Sequence, residues 1–282
     1  MPTIVPPIKC QGIKTKLIPA IRAIVGSQLE GRWIEPFCGS GVVAFNLQPQ
    51  EAILSDTNRH IIHFYQSIQT GLITPEIVQQ YLEIESQKLF LNGESYYYEV
   101  RQRFNTDPNP LDFLFLNRSC FNGLIRFNRQ GLFNVPFCRK PQRFAKPYIS
   151  KIVNQVRRVQ EVVATRKWVF QVAEFRSVLA QAQRFDLVYA DPPYMGRHVD
   201  YFNTWTERDE QELVTSLKQL PCDFILSTWL KNRFRDNRSL QQNWQNPNFQ
   251  ITPVQHFYHV GASEDLRHSM TEALVTNRVA VC

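Results

Sequence analysis

The chain has 282 residues, 43% of them hydrophobic, with 20 Phe and 10 Tyr, which is material for a soluble globular protein of one large domain or a domain carrying an insertion. No apolar run approaches the roughly 20 residues of a bilayer-spanning helix, and the N-terminus Met-Pro-Thr-Ile-Val-Pro-Pro-Ile-Lys has no uninterrupted apolar segment, so a cytoplasmic protein without a membrane partner is expected. The formal charge is +7, and six cysteines without Cys-x-x-Cys spacing argue against a zinc site or a disulfide framework, leaving reduced thiols and no metal.

From Lys9 to Gly26, Leu17, Ile18, Ile21, Ile24 and Val25 recur at helical spacing and Gly26 can end the helix. Lys9, Gly12 and Lys14 lie just before or at its start. Trp33-Ile34 then lead into Glu35-Pro36-Phe37-Cys38-Gly39-Ser40-Gly41 and the apolar Val42 to Leu47, which predicts strand, glycine turn and helix. A lone Gly-x-Gly is weak evidence. Here a second strand, Ala52-Ile53-Leu54, ends at Ser55-Asp56, and an acid closing that strand can hold ribose hydroxyls.

Between Arg59 and Lys146 the α/β alternation lapses. Helical patterns carry Ile62 to Ile68, Ile77 to Leu82 and Tyr97 to Phe104, with turns at Thr70-Gly71, Asn92-Gly93 and Asp107 to Pro110. His60 and His63, three apart on a polar helix face, are expected at the surface without a metal. From Asn117 to Lys146 there are seven basic residues and no Asp or Glu, interleaved with Phe121, Phe127, Phe133 and Phe137. Basic plus aromatic is the composition of a nucleic-acid surface. Asn122-Gly123 and Gln130-Gly131 are turn signals in an alternating run, which predicts a β-hairpin with arginines near its tip.

The α/β pattern resumes with a helix through Ile152 to Val163, a strand at Trp168 to Val172, a short helix, and the run Asp186-Leu-Val-Tyr-Ala-Asp191-Pro192-Pro193-Tyr194. Four apolar residues suit a strand covered on both faces. The two prolines end it and fix the backbone, so the carbonyls of Asp191 and Pro192, the Asp191 carboxylate and the Tyr194 ring form a rigid clamp for a planar amine. Met195 to Trp205 reads as an aromatic loop beyond the clamp, Glu210 to Leu217 as a helix, Asp223 to Thr228 as a core strand, and Ile251 to Val260 with Glu272 to Thr276 as a closing pair. His256 and His259, on opposite faces of a strand, argue against a metal pair.

The tetrapeptide Asp191-Pro192-Pro193-Tyr194 resembles the catalytic motif of amino-group methyltransferases that use S-adenosylmethionine. Lys9-x-x-Gly12-x-Lys14, Glu35-Pro36-Phe37-x-Gly39-x-Gly41, Asp56 and Asn122-Gly-Leu124-x-Arg126-x-Asn128-x-x-Gly-x-Phe-Asn-Val-Pro136-Phe together resemble the Dam-type (D12 class) DNA adenine methyltransferases. Cys10 departs from the usual Trp, which leaves stacking on the cofactor adenine to Phe37. The resemblance implies an α/β, doubly wound, mostly parallel seven-stranded methyltransferase sheet. It divides into an S-adenosylmethionine part at 1–58, an inserted helical recognition domain with the hairpin at 59–146, and the clamp part at 147–282.

It further implies Cys10, Lys14, Glu35, Pro36, Phe37, Gly39, Gly41, Asp56 and Asp191 around the cofactor, and catalysis by Asp191, Pro192, Pro193 and Tyr194. Double-stranded DNA would meet Lys9, Arg118, Phe121, Asn122, Leu124, Arg126, Asn128, Arg129, Pro136, Arg139 and Lys140, with GATC as the expected site. A monomer is expected, with any cognate restriction endonuclease acting independently. Cytosine N4 methylation uses the same clamp chemistry and stays open, as does a non-catalytic DNA-binding regulator on the same fold.

Overall fold

The computed structural model describes residues 3–27, 29–194, 205–231, 237–257 and 269–278. Helix α1 (Ile18–Val25) starts at Pro19 in its first turn, so the Lys9–Lys14 segment expected at a helix start is an extended arm with a turn. Strand β1 (Trp33–Glu35) leads through the glycine turn into α2 (Val42–Leu47), and β2 (Glu51–Asp56) into α3 (Arg59–Gln69). The excursion that follows is α4 (Pro75–Asn92), α5 (Glu94–Thr106), α6 (Pro110–Ser119), a 3-10 turn (Phe121–Gly123) and an irregular loop pair, before α7 (Lys146–Val163) returns to the sheet. Then come β3 (Lys167–Val172), α8 (Phe175–Leu179), β4 (Leu187–Ala190), α9 (Glu207–Lys218), β5 (Asp223–Lys231), α10 (Arg238–Trp244), β6 (Gln250–Phe257) and β7 (Ser269–Thr276).

The seven strands lie in the order β3-β2-β1-β4-β5-β7-β6, parallel except that β7 runs antiparallel to both β5 and β6. Alternate strand residues face two apolar layers. Trp33, Leu54, Leu187, Tyr189, Ile225 and Leu274 pack toward α1, α3 and α7, whereas Ile34, Ile53, Val188, Phe224, Leu226 and Val275 pack toward α8, α9 and α10. This is the expected doubly wound α/β sheet, and the order reverses between β1 and β4, the place where such folds bind ligands.

The excursion packs onto the sheet and carries a short hairpin. The core is continuous through it, from Ile8, Trp33 and Leu54 to Phe104 and Phe133. No break in packing falls at residue 58, because α3 lies on the sheet, with Gln66 and Gln69 donating to the carbonyls of Phe170 and Trp168, both at 2.7 Å. The hairpin is reduced to two single bridges, Cys120 with Phe137 and Phe127 with Phe133. Its tip turn is Asn128–Leu132, and Asn122 (φ 54°) belongs to the 3-10 turn. The hairpin's arms are joined by the amides of Phe121, Asn134 and Cys138 donating to the carbonyls of Pro136, Arg126 and Ser119, and helix α5 braces them: Asn105 exchanges bonds with the backbone of Phe133, and the Tyr97 hydroxyl donates to the Val135 carbonyl at 2.7 Å.

Candidate active site

Strand β4 is buried throughout and ends by presenting Asp191 at the carboxyl edge of the sheet. The arm before α1 brings Lys14 to it. Lys14 Nζ lies 3.0 Å from Asp191 Oδ1, 3.5 Å from Glu272 Oε1 on β7 and 4.8 Å above the Tyr194 ring, and donates to the Gly12 carbonyl at 3.0 Å. The Tyr194 hydroxyl donates to Glu272 Oε1 at 2.9 Å. Lys14 and Glu272 are buried, whereas the Asp191 side chain keeps 20% exposure.

One ammonium therefore serves two carboxylates. Burial raises the Asp191 carboxyl and Glu272 raises it further, against the pull of Lys14, to about 6. At neutral pH it is a carboxylate, able to accept hydrogens from an amine, beside an aromatic face that a planar base can stack on. The arm side chain Lys14, expected at the cofactor, is thus placed in the clamp itself.

The glycine turn lies beside it. Gly41 has φ +67°, and a Cβ there would lie 2.7 Å from the Phe45 ring, so the turn tolerates no side chain. Asp56 at the end of β2 accepts from the Gly39 and Asn58 amides at 2.9 and 2.8 Å, one per oxygen, and each oxygen keeps acceptor capacity for a hydroxyl. Glu35 lies beneath the turn, 1% exposed, and accepts from the Trp33 indole at 2.7 Å. Burial pushes its carboxyl up to about 8. Pro36 is buried, and burial with the Asp56 charge pushes the Cys10 thiol well above its ordinary value. Phe37 is not a lone platform: its ring stacks on Phe175 at 5.6 Å and meets the edge of Trp205 at 5.6 Å.

A family model for D12 class N6 adenine-specific DNA methyltransferases matches residues 11–260. The chain belongs to that family. It is 31% identical over 224 residues to a DNA adenine methylase of Serratia marcescens, covering 75% of this chain and 76% of that one. It is 30% identical over 225 residues to the type II methyltransferase M.MjaIII of Methanocaldococcus jannaschii, covering 72% and 74%. Modification methylase StsI of Streptococcus sanguinis is 25% identical over 281 residues, and the match takes in 96% of this chain but 42% of StsI.

In this D12-class chain the residues expected to meet DNA separate into exposed and structural sets. Phe121 is 47% exposed, Asn122, Arg129, Pro136, Arg139 and Lys140 are exposed, and Leu124 and Arg126 are half-buried. Arg126 is braced by Asn134, its Nε donating to Asn134 Oδ1 at 2.8 Å and its Nη2 to the Asn134 carbonyl at 3.2 Å. Lys9 is held by its backbone, which exchanges bonds of 2.8 and 2.9 Å with the Asn117 side chain. A Cβ on Gly123 would lie 2.5 Å from Lys9 Cδ, so glycine there lets the arm dock.

Several expected contacts take other roles. Arg118 is 3% exposed and donates to Gln155 and, at 3.4 Å, to the Tyr148 hydroxyl, which places it inside the fold and away from a phosphate. Asn128 spends its side-chain oxygen on the amides of Gln130 and Leu132, making it a turn residue. Phe127, Phe133 and Phe137 are core, leaving Phe121 as the exposed aromatic of that set. His60, expected at the surface, is buried and stacks on Phe127 at 5.0 Å, with burial first and the charges of Arg59 and His63 next lowering it to about 4; His63 is exposed.

Sequence reasoning missed Glu272, Asn117, Arg143 and Tyr148. Lys9, Arg118 and Arg143 cluster around Tyr148, and although burial pushes the phenol up, these three cations hold it below its ordinary value. The signal for Glu272 was a lone acid in the apolar strand Ala-Leu-Val. Among the described residues no group of His, Cys, Asp or Glu is arranged to hold a metal, and no helix is long and apolar enough to cross a membrane. The Met195–Thr204 part of the aromatic loop, and His259, lie outside the described residues.

Proposed function

We propose that this protein methylates N6 of an adenine swung out of double-stranded DNA, most readily within GATC. The observation that carries the reading is the convergence of Asp191, Lys14, Tyr194 and Glu272 at the carboxyl edge of β4 in a chain of the D12 class.

The donor set fits S-adenosylmethionine. Asp56 offers acceptors for hydroxyls beside a turn that excludes a side chain at Gly41, and Phe37 and Phe175 give an aromatic surface. When bound it supplies an electrophilic methyl. The protein's share is positioning and electrostatics. The Asp191 carboxylate and the Pro192 carbonyl accept hydrogens from the exocyclic amine, which draws its lone pair out of the ring, and Tyr194 stacks on the base, offsetting part of the few kcal/mol that flipping costs.

Support for the GATC preference comes from Lys9, docked against Gly123, and from the exposed Phe121 and the half-buried Leu124 and Arg126 on the adjoining stretch of chain. Arginine can donate to guanine O6 and N7, and leucine can contact a thymine methyl. Phosphates would be met by Arg129, Arg139 and Lys140, all exposed.

The test is incubation of the full chain with labelled S-adenosylmethionine and duplex DNA, followed by a map of modified bases. N6-methyladenine at GATC is the expected result. Label on N6-methyladenine outside GATC, with GATC unmodified, overturns the site but not the chemistry, label on cytosine N4 overturns the adenine reading and leaves the clamp chemistry, and label on cytosine C5 overturns both.

A further inference from the structure

Glu272 stands alone as an acid in a core strand. Its neighbours Ala273, Leu274 and Val275 are fully buried, and Glu272 itself is 1% exposed. A carboxylate in such a place is costly unless it is paired, so its partners identify its use. Its partners include Tyr194, whose hydroxyl donates to it at 2.9 Å, and Lys14, 3.5 Å away and also 3.0 Å from Asp191. Both flank the acceptor of the proposed clamp.

A tyrosine ring following Pro193 has its backbone fixed at one end, and the bond to Glu272 tethers the other, which leaves little freedom in where its face lies. Lys14 lies 4.8 Å over one face of that ring, held between the two carboxylates, which leaves base stacking to the opposite face. The base-stacking face and the hydrogen acceptor are thereby set relative to each other through one side chain on a strand remote in sequence.

We propose that Glu272 is a positioning residue for methyl transfer, which orients the Tyr194 ring through its hydroxyl and divides the Lys14 ammonium with Asp191. The proposal rests on the clamp reading given above. Glu272 does not touch the reacting atoms; it acts through Tyr194 and Lys14.

Single-turnover transfer by the full chain is compared for wild type, Glu272→Leu, Glu272→Gln, Tyr194→Phe and the Glu272→Leu/Tyr194→Phe pair, with Kd for S-adenosylmethionine and for duplex DNA measured alongside. Glu272→Leu is expected to slow the chemical step roughly 10- to 100-fold, the range a hydrogen bond to a charged group supports, with both Kd values changed less than about threefold. Glu272→Gln recovers part of the rate, because its amide oxygen still accepts from the phenol. Tyr194→Phe, which keeps the ring and loses the hydroxyl, is slowed as well, and the double variant is at most about threefold slower than the slower single one.

Glu272→Leu within about twofold of wild type overturns the proposal, and so do single effects that multiply fully in the double variant. Where Glu272→Leu fails to fold, Tyr194→Phe decides: a wild-type rate overturns the proposal and a slowed one upholds it. Wild-type transfer to a base other than adenine would refute the substrate reading instead, and the same variants would then be compared on that base.

Discussion

Replacing Lys14 by Met removes the ammonium that Asp191 and Glu272 share and keeps an unbranched stem. At an effective dielectric of about 20, separations of 3.0 and 3.5 Å correspond to roughly 5.5 and 4.7 kcal/mol of gross attraction. The net loss is smaller, because the buried ammonium gave up hydration on folding, and removing one partner from a buried ion pair costs about 3–5 kcal/mol. The deficit should also depend on pH. A carboxyl whose folded pKa lies above its unfolded value binds its proton more tightly when folded, so stability is lost as pH rises from the unfolded to the folded value.

For Asp191 in the wild type that window runs from 3.8 to about 6. Without Lys14 to lower it, the folded value moves higher and the loss continues past 6. The variant should therefore lie close to wild type near pH ~5 and fall behind by several kcal/mol toward pH ~8. Urea unfolding of both proteins across that range reads the difference directly. A deficit below about 1 kcal/mol, or one that is the same at every pH, would refute the shared-ammonium arrangement.

Asp191→Ala should abolish transfer with duplex affinity changed less than about twofold, since it removes the amine's acceptor and no phosphate contact; near-normal turnover would sink the clamp chemistry. The double change Arg139→Ala and Lys140→Ala should lower the slope of log affinity against log salt by about 1.8, from about 0.9 per phosphate, and an unchanged slope would put the phosphates elsewhere. Arg118→Ala should leave that slope alone and cost about 1–3 kcal/mol in urea unfolding, because it strips the buried Gln155 of its donor, whereas the half-buried Tyr148 keeps Arg143 at 3.0 Å. His60, held at about 4 against 6.5 unfolded, should cost about 2–3 kcal/mol as pH falls from 6.5 to 4, because the unfolded state takes up the proton first. Unfolding curves of His60→Phe that still show that acid loss would argue against it.

Much of the fold was legible because its signals are local. Thr70-Gly71, Asn92-Gly93 and Asp107 to Pro110 punctuate α3 to α6 where the structure ends and begins them, and β4 reads as a buried strand from its four apolar residues alone. Helix α6 escaped notice for a physical reason: Asp112 to Ser119 are buried on every side, so no polar face gives it a period. The hairpin was legible from alternation near two turn signals, but its shortness was not, since that depends on Asn105 and Tyr97 of α5 taking backbone bonds of one arm.

The sequence by itself determined the strand with its two prolines, the glycine turn, the acid at the end of β2 and the concentration of positive charge, because each depends on φ restriction, side-chain size or charge along a short stretch. Tertiary structure alone decided which charges meet. Lys14 and Glu272 are 258 positions apart and reach Asp191 only because the arm crosses the sheet edge and β7 pairs antiparallel to β5. It likewise decided which basic and aromatic residues stay outside: Arg118 and Phe127 share the composition of Arg129 and Phe121, and differ in being covered by α7 and α3, through Gln155 and His60. Burial is a property of the neighbours a residue finds in space, and no spacing along the chain encodes it.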